Sequence, residues 1–331
     1  MVKRVVASAP GKIILFGEHA VVYGEPAVAV AIDRRARVIV EERGDFEVRI
    51  SAPDLSLEAG FDLERVLSED SFSFFEIPQR LKNVVRAVEV SLNACNLKRG
   101  LNIEINSDIP PSAGLGSSAS VAVATVAAVG KCLTGDSWES EKVSKLAFEA
   151  EKIVHGAPSG IDNTISAYGG GIIFQQGKIE RLDIGAQVSI VIGDTKVERS
   201  TKKLVSHVRS ICEKYPLIGL PIIRLIGSLT LEGVERLKTG DFEGVGELMD
   251  INQGLLDALG VSHLSLSRLI FAAREAGAYG AKLSGAGGGG CMIALMSPEN
   301  AKNVLEAIEM SGGRAVPTAF SMRGVTVESE E

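Results

Sequence analysis

Aromatic residues are scarce in this chain, 5% of 331 residues with a single tryptophan. The core must therefore come mostly from Val, Leu, Ile and Ala, and an apolar share of 45% is enough to build a real one. Cysteine is scarce too. Cys95, Cys132, Cys212 and Cys291 lie far apart. No pair has metal-ligand spacing, which argues against a zinc site, and scattered single cysteines suit a reducing compartment. There is no basic excess either: 35 basic residues stand against 42 acidic ones, a net charge of −7. That speaks against a general nucleic-acid binder but leaves room for a local basic pocket. The longest apolar run, near Ala119 to Val129, falls short of the ~20 residues of a membrane span. At the start, Lys3-Arg4 and Ala7-Ser8-Ala9 imitate a signal peptide, but only Val5 and Val6 lie between them. Together these shortages predict a soluble cytoplasmic protein with no nucleic-acid and no membrane partner. The length is natural for two domains.

Residues 3–9 and 12–17 read as strands broken by Pro10-Gly11, and 27–32 and 36–42 as two more, with another at 46–51. Pro53 to Gly60 reads as a loop. Helical spacing marks 78–94 and 140–155, a short helix 161–168, and a second, helix-rich half at 200–213, 217–238, 242–258 and 265–276. Strands are expected at 101–107, 172–176, 188–193, 291–296, 314–320 and 323–327, a helix at 298–310, and a frayed tail at 328–331. The boundary falls between about 176 and 188, giving domains 1–180 and 181–331. Mixed order without regular β-α alternation favours an α+β fold.

The stretch Pro110-Pro111-Ser112-Ala113-Gly114-Leu115-Gly116-Ser117-Ser118-Ala119-Ser120 follows the alternating run 101–107 and precedes the small-residue run 121–129. It reads as strand, tight loop, helix N-terminus. Such an end carries unpaired N–H groups and partial positive charge, which attract phosphate. Ser117, Ser118 and Ser120 add hydroxyls that can cap the helix, touch phosphate or reach a metal. No lysine follows the glycines, so this is not the common P-loop. A serine-capped helix with no ligand would look the same.

Three further constellations carry polar groups. Pro10-Gly11-Lys12 opens an apolar strand that runs to Gly17-Glu18-His19. A lysine there is, as a rule, an edge or snorkelling residue. Glu151 and His155 share a helix face at i, i+4, followed by Ser159, Asp162 and Asn163. Asp162 or Ser159 could equally cap the next helix. Gly285-Ala286-Gly287-Gly288-Gly289-Gly290 matches Gly-x-Gly-x-x-Gly formally, but a strand follows it, whereas a dinucleotide fingerprint must open a helix. So many glycines suggest a backbone lying against something flat or anionic. Phosphoryl transfer needs a phosphate cradle, a divalent metal, a cation and a carboxylate at the nucleophile. The 110–120 loop, the hard oxygens of Ser118 and Glu151, Lys12 and Asp162 supply these in turn.

Residues 9–24, Ala-Pro-Gly-Lys-Ile-Ile-Leu-Phe-Gly-Glu-His-Ala-Val-Val-Tyr-Gly, resemble the N-terminal signature of the mevalonate kinase family. The 110–120 loop resembles the second motif of the wider GHMP kinases, and Lys282-Leu-Ser-Gly-Ala-Gly-Gly-Gly-Gly-Cys291 the third. His155-Gly-Ala-Pro-Ser-Gly-Ile-Asp-Asn163 is similar to the segment carrying that family's aspartate. Four ordered motifs spread from residue 9 to 291 are far more specific than any one loop.

The resemblance implies a two-domain GHMP kinase fold: an N-terminal domain like ribosomal protein S5 domain 2 and a ferredoxin-like C-terminal domain with extra helices. It implies ATP-dependent phosphorylation of the 5-hydroxyl of mevalonate, with Mg²⁺ as cofactor. It assigns Asp162 and Lys12 to catalysis, Ser118 and Glu151 to Mg²⁺, and Pro111, Ser112, Ala113, Gly114, Leu115, Gly116, Ser117, Ser118 and Ala119 to ATP. Lys12, Glu18, His19, Asp162, Thr195 and Ala286 are implied at the substrate. A homodimer is implied as well. Ser112 departs from the glycine often found in related loops. Galactokinases typically carry an aspartate in the stretch after Gly-Glu-His; Ala20-Val21 here suit a substrate with an apolar methyl better than a sugar. Another GHMP small-molecule kinase, acting on phosphomevalonate, galactose or homoserine, is one alternative. A non-catalytic ligand sensor of the same fold is the other; such a protein would be expected to have lost groups like Lys12 and Asp162, which are present.

Overall fold

The computed structural model describes residues 4–63, 77–110, 114–155, 159–184, 188–198 and 200–330. Two long strands, β1 (Arg4–Phe16) and β2 (Ala27–Glu42), pair antiparallel and form the spine of a first sheet. The second half of β2 pairs with β5 (Leu101–Ser107), and β5 runs parallel to β3 (Glu47–Ala52), which is edged by β4 (Leu57–Asp62). The first half of β2 pairs instead with β6 (Gly171–Gln175), itself edged by β7 (Lys178–Leu182). On its other side β1 takes the last strand, β12 (Thr326–Glu330).

Where a break was expected at Pro10-Gly11 there is one continuous strand. The register shifts between Pro10 and Lys12, so the pair forms an irregularity within β1. Proline cannot donate to a ladder, and such a bulge is where a strand tolerates it. Likewise 27–42 is one strand rather than two. Two other expectations fail for one reason. Residues 53–60 hold a short 3-10 turn followed by β4, and residues 328–330 of the acidic tail are not frayed but paired in β12, with Glu331 outside the described residues. Both are edge strands with one face in water, β4 in a hairpin with β3 and β12 against the distant β1.

Helices α1 (Lys82–Cys95), α2 (Ser117–Thr134), α3 (Ser140–His155) and α4 (Ile161–Tyr168) cover this sheet. The buried face of α1 brings Val84, Val85, Val88 and Leu92 into the same core as Val38, Val40 and Ile103. Buried alanines at 119, 122, 124, 127 and 128 keep α2 slim enough to lie against both β1 and β2.

A second sheet has the order β11-β8-β10-β9, formed by β8 (Ser189–Asp194), β9 (Gly280–Ser284), β10 (Cys291–Met296) and β11 (Arg314–Ala319), all pairs antiparallel. With α9 (Ala301–Met310) between β10 and β11, this is the strand order of a ferredoxin-like fold. Its β8–β9 crossover holds four helices, α5 (Thr201–Lys214), α6 (Pro216–Thr239), α7 (Phe242–Ala258) and α8 (Leu264–Glu275), where one would close the unit. Long and apolar enough to cross a membrane by composition alone, α6 buries Ile223, Ile226, Val234 and Leu237. Its opposite face exposes Leu217, Ile218, Leu225 and Leu231. One buried cluster joins the two sheets: Ile13, Leu15 and Phe16 of β1 pack with Val245 and Met249 of α7 and Ile293 of β10.

Candidate active site

The irregularity in β1 is where the site begins. The Pro10 carbonyl turns to the helical layer and accepts hydroxyls from Ser120 at 2.7 Å and Ser166 at 2.9 Å. This fastens α2 and α4 to one point of the strand. Lys12 follows immediately, and its ammonium lies 3.2 Å from Asp162 Oδ1 in the first turn of α4. The Lys12 side chain is 9% exposed and that of Asp162 33%, so the lysine is embedded and the carboxylate faces out. Neither Asp162 nor Ser159 caps the helix through its side chain: the N-cap is Gly160, and the Ser159 hydroxyl accepts the Ile161 N–H at 3.3 Å.

The phosphate-loop candidate folds back on the same lysine. Lys12 N–H donates to the Leu115 carbonyl at 2.8 Å. Gly116 is the N-cap of α2 at φ 75°, and a Cβ there would lie 2.9 Å from Lys12 Cγ. Glycine is required both for the backbone and for the close approach. Of the uses open to the serines, capping is not the one taken: no side chain caps α2, and Ser120 is fully buried, its hydroxyl 2.9 Å from the Gly116 carbonyl as well as on Pro10. Leu115 and Ala119 also face the core, so only their backbones are available to a nucleotide. Gly114 and Ser118 are exposed, and Ser117 partly so. Pro111, Ser112 and Ala113 lie outside the described residues, as does the side chain of His155.

Ser118 has a partner that sequence reasoning missed. Asn83 of α1 donates from Nδ2 to the Ser118 hydroxyl at 2.9 Å and to its carbonyl at 3.1 Å. An asparagine at the start of an amphipathic helix carries no signal of such a role. Glu151 on α3 stands in a site that disfavours its charge. Desolvation first, and Asp162 second, push its carboxyl up to about 7, with Lys12 opposing. A hard cation would reverse that balance, and a carboxylate with an exposed hydroxyl is a fitting donor pair for Mg²⁺ when phosphate oxygens and water complete the shell. No group of three or more His, Cys, Asp or Glu that could hold a metal occurs among the described residues.

The remaining candidates are organised by the third glycine motif. His19 Nε2 lies 2.9 Å from the Ala286 carbonyl. Thr195 donates its hydroxyl to the Gly290 carbonyl at 2.8 Å and is almost buried. Glu18 was expected at the substrate but is held inside the protein. Its carboxylate is paired with the ammonium of Lys282 and accepts Asn252 Nδ2 at 3.4 Å. The glycines are not spread under a ligand. Gly288 N–H donates to Val261 O at 2.7 Å and Gly290 N–H to Val197 O at 3.0 Å. At Gly287, φ is 79° and a Cβ would sit 2.0 Å from the Val261 carbonyl. The loop is glycine-rich because the protein's own backbone crowds it.

Comparison with known proteins places this geometry. The GHMP kinases N terminal domain family model matches residues 81–171, and the GHMP kinases C terminal model residues 231–312. The chain is 44% identical to the mevalonate kinase of Thermococcus sibiricus, with 98% of each chain covered. Among solved structures it resembles that of the Methanococcus jannaschii mevalonate kinase, with a TM-score of 0.85 at 29% identity over 96% of this chain and 98% of the other. It also resembles the L. major mevalonate kinase in complex with R-mevalonate, at TM-score 0.81 and 26% identity over 95% and 94% of the two chains. By full-length identity and by fold, the chain belongs to the mevalonate kinase family of the GHMP kinases.

Proposed function

We propose that the chain transfers the γ-phosphoryl group of ATP to the 5-hydroxyl of (R)-mevalonate, giving 5-phosphomevalonate and ADP. The observation that carries this reading is the Lys12–Asp162 pair, 3.2 Å apart, beside an exposed helix N-terminus. The backbone N–H groups at the start of α2 receive the phosphates, aided by the helix dipole. Asp162 accepts a hydrogen bond from the substrate hydroxyl and orients it, taking the proton as the P–O bond forms. Lys12 keeps that carboxylate in place and offsets charge gathering on the transferred group. Ser118, steadied by Asn83, and Glu151 are the residues that would hold Mg²⁺, which when bound neutralises charge on the β- and γ-phosphate oxygens. His19, Thr195 and Ala286 form the opposite wall, toward the alcohol.

The reading extends to the setting. Scattered single cysteines at 95, 132, 212 and 291 suit a cytoplasmic enzyme. The apolar face of α6 supports a homodimer, whose mass light scattering would report. The decisive experiment is an ADP-release assay with mevalonate, phosphomevalonate, galactose and homoserine in parallel. Turnover with mevalonate alone is expected; a clear preference for another alcohol, or none at all, would overturn the reading.

A further inference from the structure

Lys282, Ser284 and Ala286 alternate along β9 and the loop after it, and each grips a different point between Ile14 and His19. Lys282 Nζ donates to Glu18 Oε1 and, at 2.6 Å, to the Leu283 carbonyl. The Ser284 hydroxyl accepts the Ile14 N–H at 3.2 Å and donates to the Ile14 carbonyl at 3.0 Å. The Ala286 carbonyl takes His19 Nε2 at 2.9 Å, so that nitrogen carries the proton. Between the anchors the backbone makes a tight γ-turn. The Ala20 N–H donates to the Glu18 carbonyl across 2.7 Å, with His19 at φ 62° and ψ −41°. That conformation is rare and strained for a residue with a side chain, and it persists only where the surroundings over-determine it.

The ion pair is an unusual means of doing so. The side chains of Lys282 and Glu18 are 0% and 1% exposed. Burial draws the Lys282 ammonium below its usual range, and the Glu18 carboxylate opposes the shift. Two charges stripped of water gain little net stability from each other, so a buried pair is better explained by the geometry it fixes. Lys282 is too enclosed to reach a substrate. Its partner is the residue directly before the strained one.

We infer that Lys282 is a positioning residue: through Glu18 it holds the γ-turn that sets the His19 imidazole against Ala286, and so shapes the wall on which the alcohol substrate binds. The inference rests on the phosphoryl-transfer reading for its substrate, but not for its structural content.

The test uses the full chain. Glu18→Gln with Lys282→Met replaces the ions by a neutral pair of similar volume and leaves no lone buried charge. The double variant should stay folded and raise the KM for mevalonate by about tenfold, with kcat and the KM for ATP within about twofold. In a His19→Ala background the same double substitution should change the mevalonate KM no further, because the effect runs through His19. In the unliganded protein, amide hydrogen exchange across 17–22 should quicken by about tenfold while 101–107 stays unchanged. Should the double variant fail to fold, Glu18→Gln alone is measured the same way with the same expectations. A folded variant with parental KM and parental exchange would overturn the proposal, as would a KM effect that persists in full without His19. Failure of the unmodified chain to turn over mevalonate would count against the earlier reading instead, and the exchange experiment would still decide this one.

Discussion

The loop at Gly114–Gly116 and the loop at Gly285–Gly290 are built from the same residue, and the protein uses them differently. The first leads into an 18-residue helix, lies over Lys12, and leaves Gly114 and Ser118 at the surface. The second joins two antiparallel strands and gives the N–H groups of Gly288 and Gly290 to Val261 and Val197. Glycine marks close backbone approach in both. What differs is where the N–H groups go: the start of a helix leaves them unpaired toward solvent, whereas the second loop gives them to carbonyls of neighbouring loops.

That contrast can be broken or sharpened by substitution. The largest effect is expected beside the first loop. Asp162→Asn should fold normally and lower kcat by roughly 10²–10⁴-fold, the range of general acid–base assistance, as measured by ADP release. Near-parental turnover would remove the role assigned to Asp162. Next comes the second loop, where the harm should be structural. Gly287→Ala forces a methyl onto the Val261 carbonyl at positive φ and should destabilise by about 2–4 kcal/mol in denaturant melts. A stable variant with lost ATP binding would show that this loop too serves the nucleotide.

Glu151 gives a smaller, pH-dependent effect. Its folded-state pKa, raised to about 7, lies above the ordinary carboxylate value of 4.5. The folded protein therefore binds the extra proton between those limits. Ionisation is disfavoured only in the folded state, so stability falls as pH rises through that window and the full penalty is present above it. Without metal, Glu151→Gln should stabilise the chain above pH 7 by up to ~3 kcal/mol and change nothing below pH ~4. Thermal melts across pH check both limits; a gain at low pH would sink the explanation. Smallest of all is Ser118→Ala. It should raise the Mg²⁺ and ATP requirements by about tenfold while stability moves within ~0.5 kcal/mol, because the residue is exposed and Asn83 keeps its carbonyl. If only the mevalonate KM suffers, Ser118 does not belong with the metal.

The helices were readable because their apolar residues recur at helical spacing over several turns, as in α1 and α7. The edge strands were not. Exposed Lys178, Ile179, Glu180 and Arg181 give β7 no apolar face to announce it. In β12, Glu328 looks like a solvated tail until Arg37 is found 3.0 Å away on β2. At the site, Lys12 and Asp162 were legible because ordered motifs named them, and the structure supplies their contact. For Glu18 the motif gives a position without saying which way the side chain points, and the carboxylate turns inward to Lys282. Lys282 did leave a trace, a charge between Ala281 and Leu283 in a strand with no polar face. Such a residue calls for a buried partner, but sequence alone could not identify one 264 positions away.

The return of β12 to the first sheet has a consequence for synthesis. Strand β1 leaves the ribosome before β2, which can pair with it at once. Its other edge pairs with residues 326–330, made after every other strand of the two sheets. Until β12 is made, that edge carries unmatched N–H and C=O groups, open to a neighbouring nascent chain or to a chaperone.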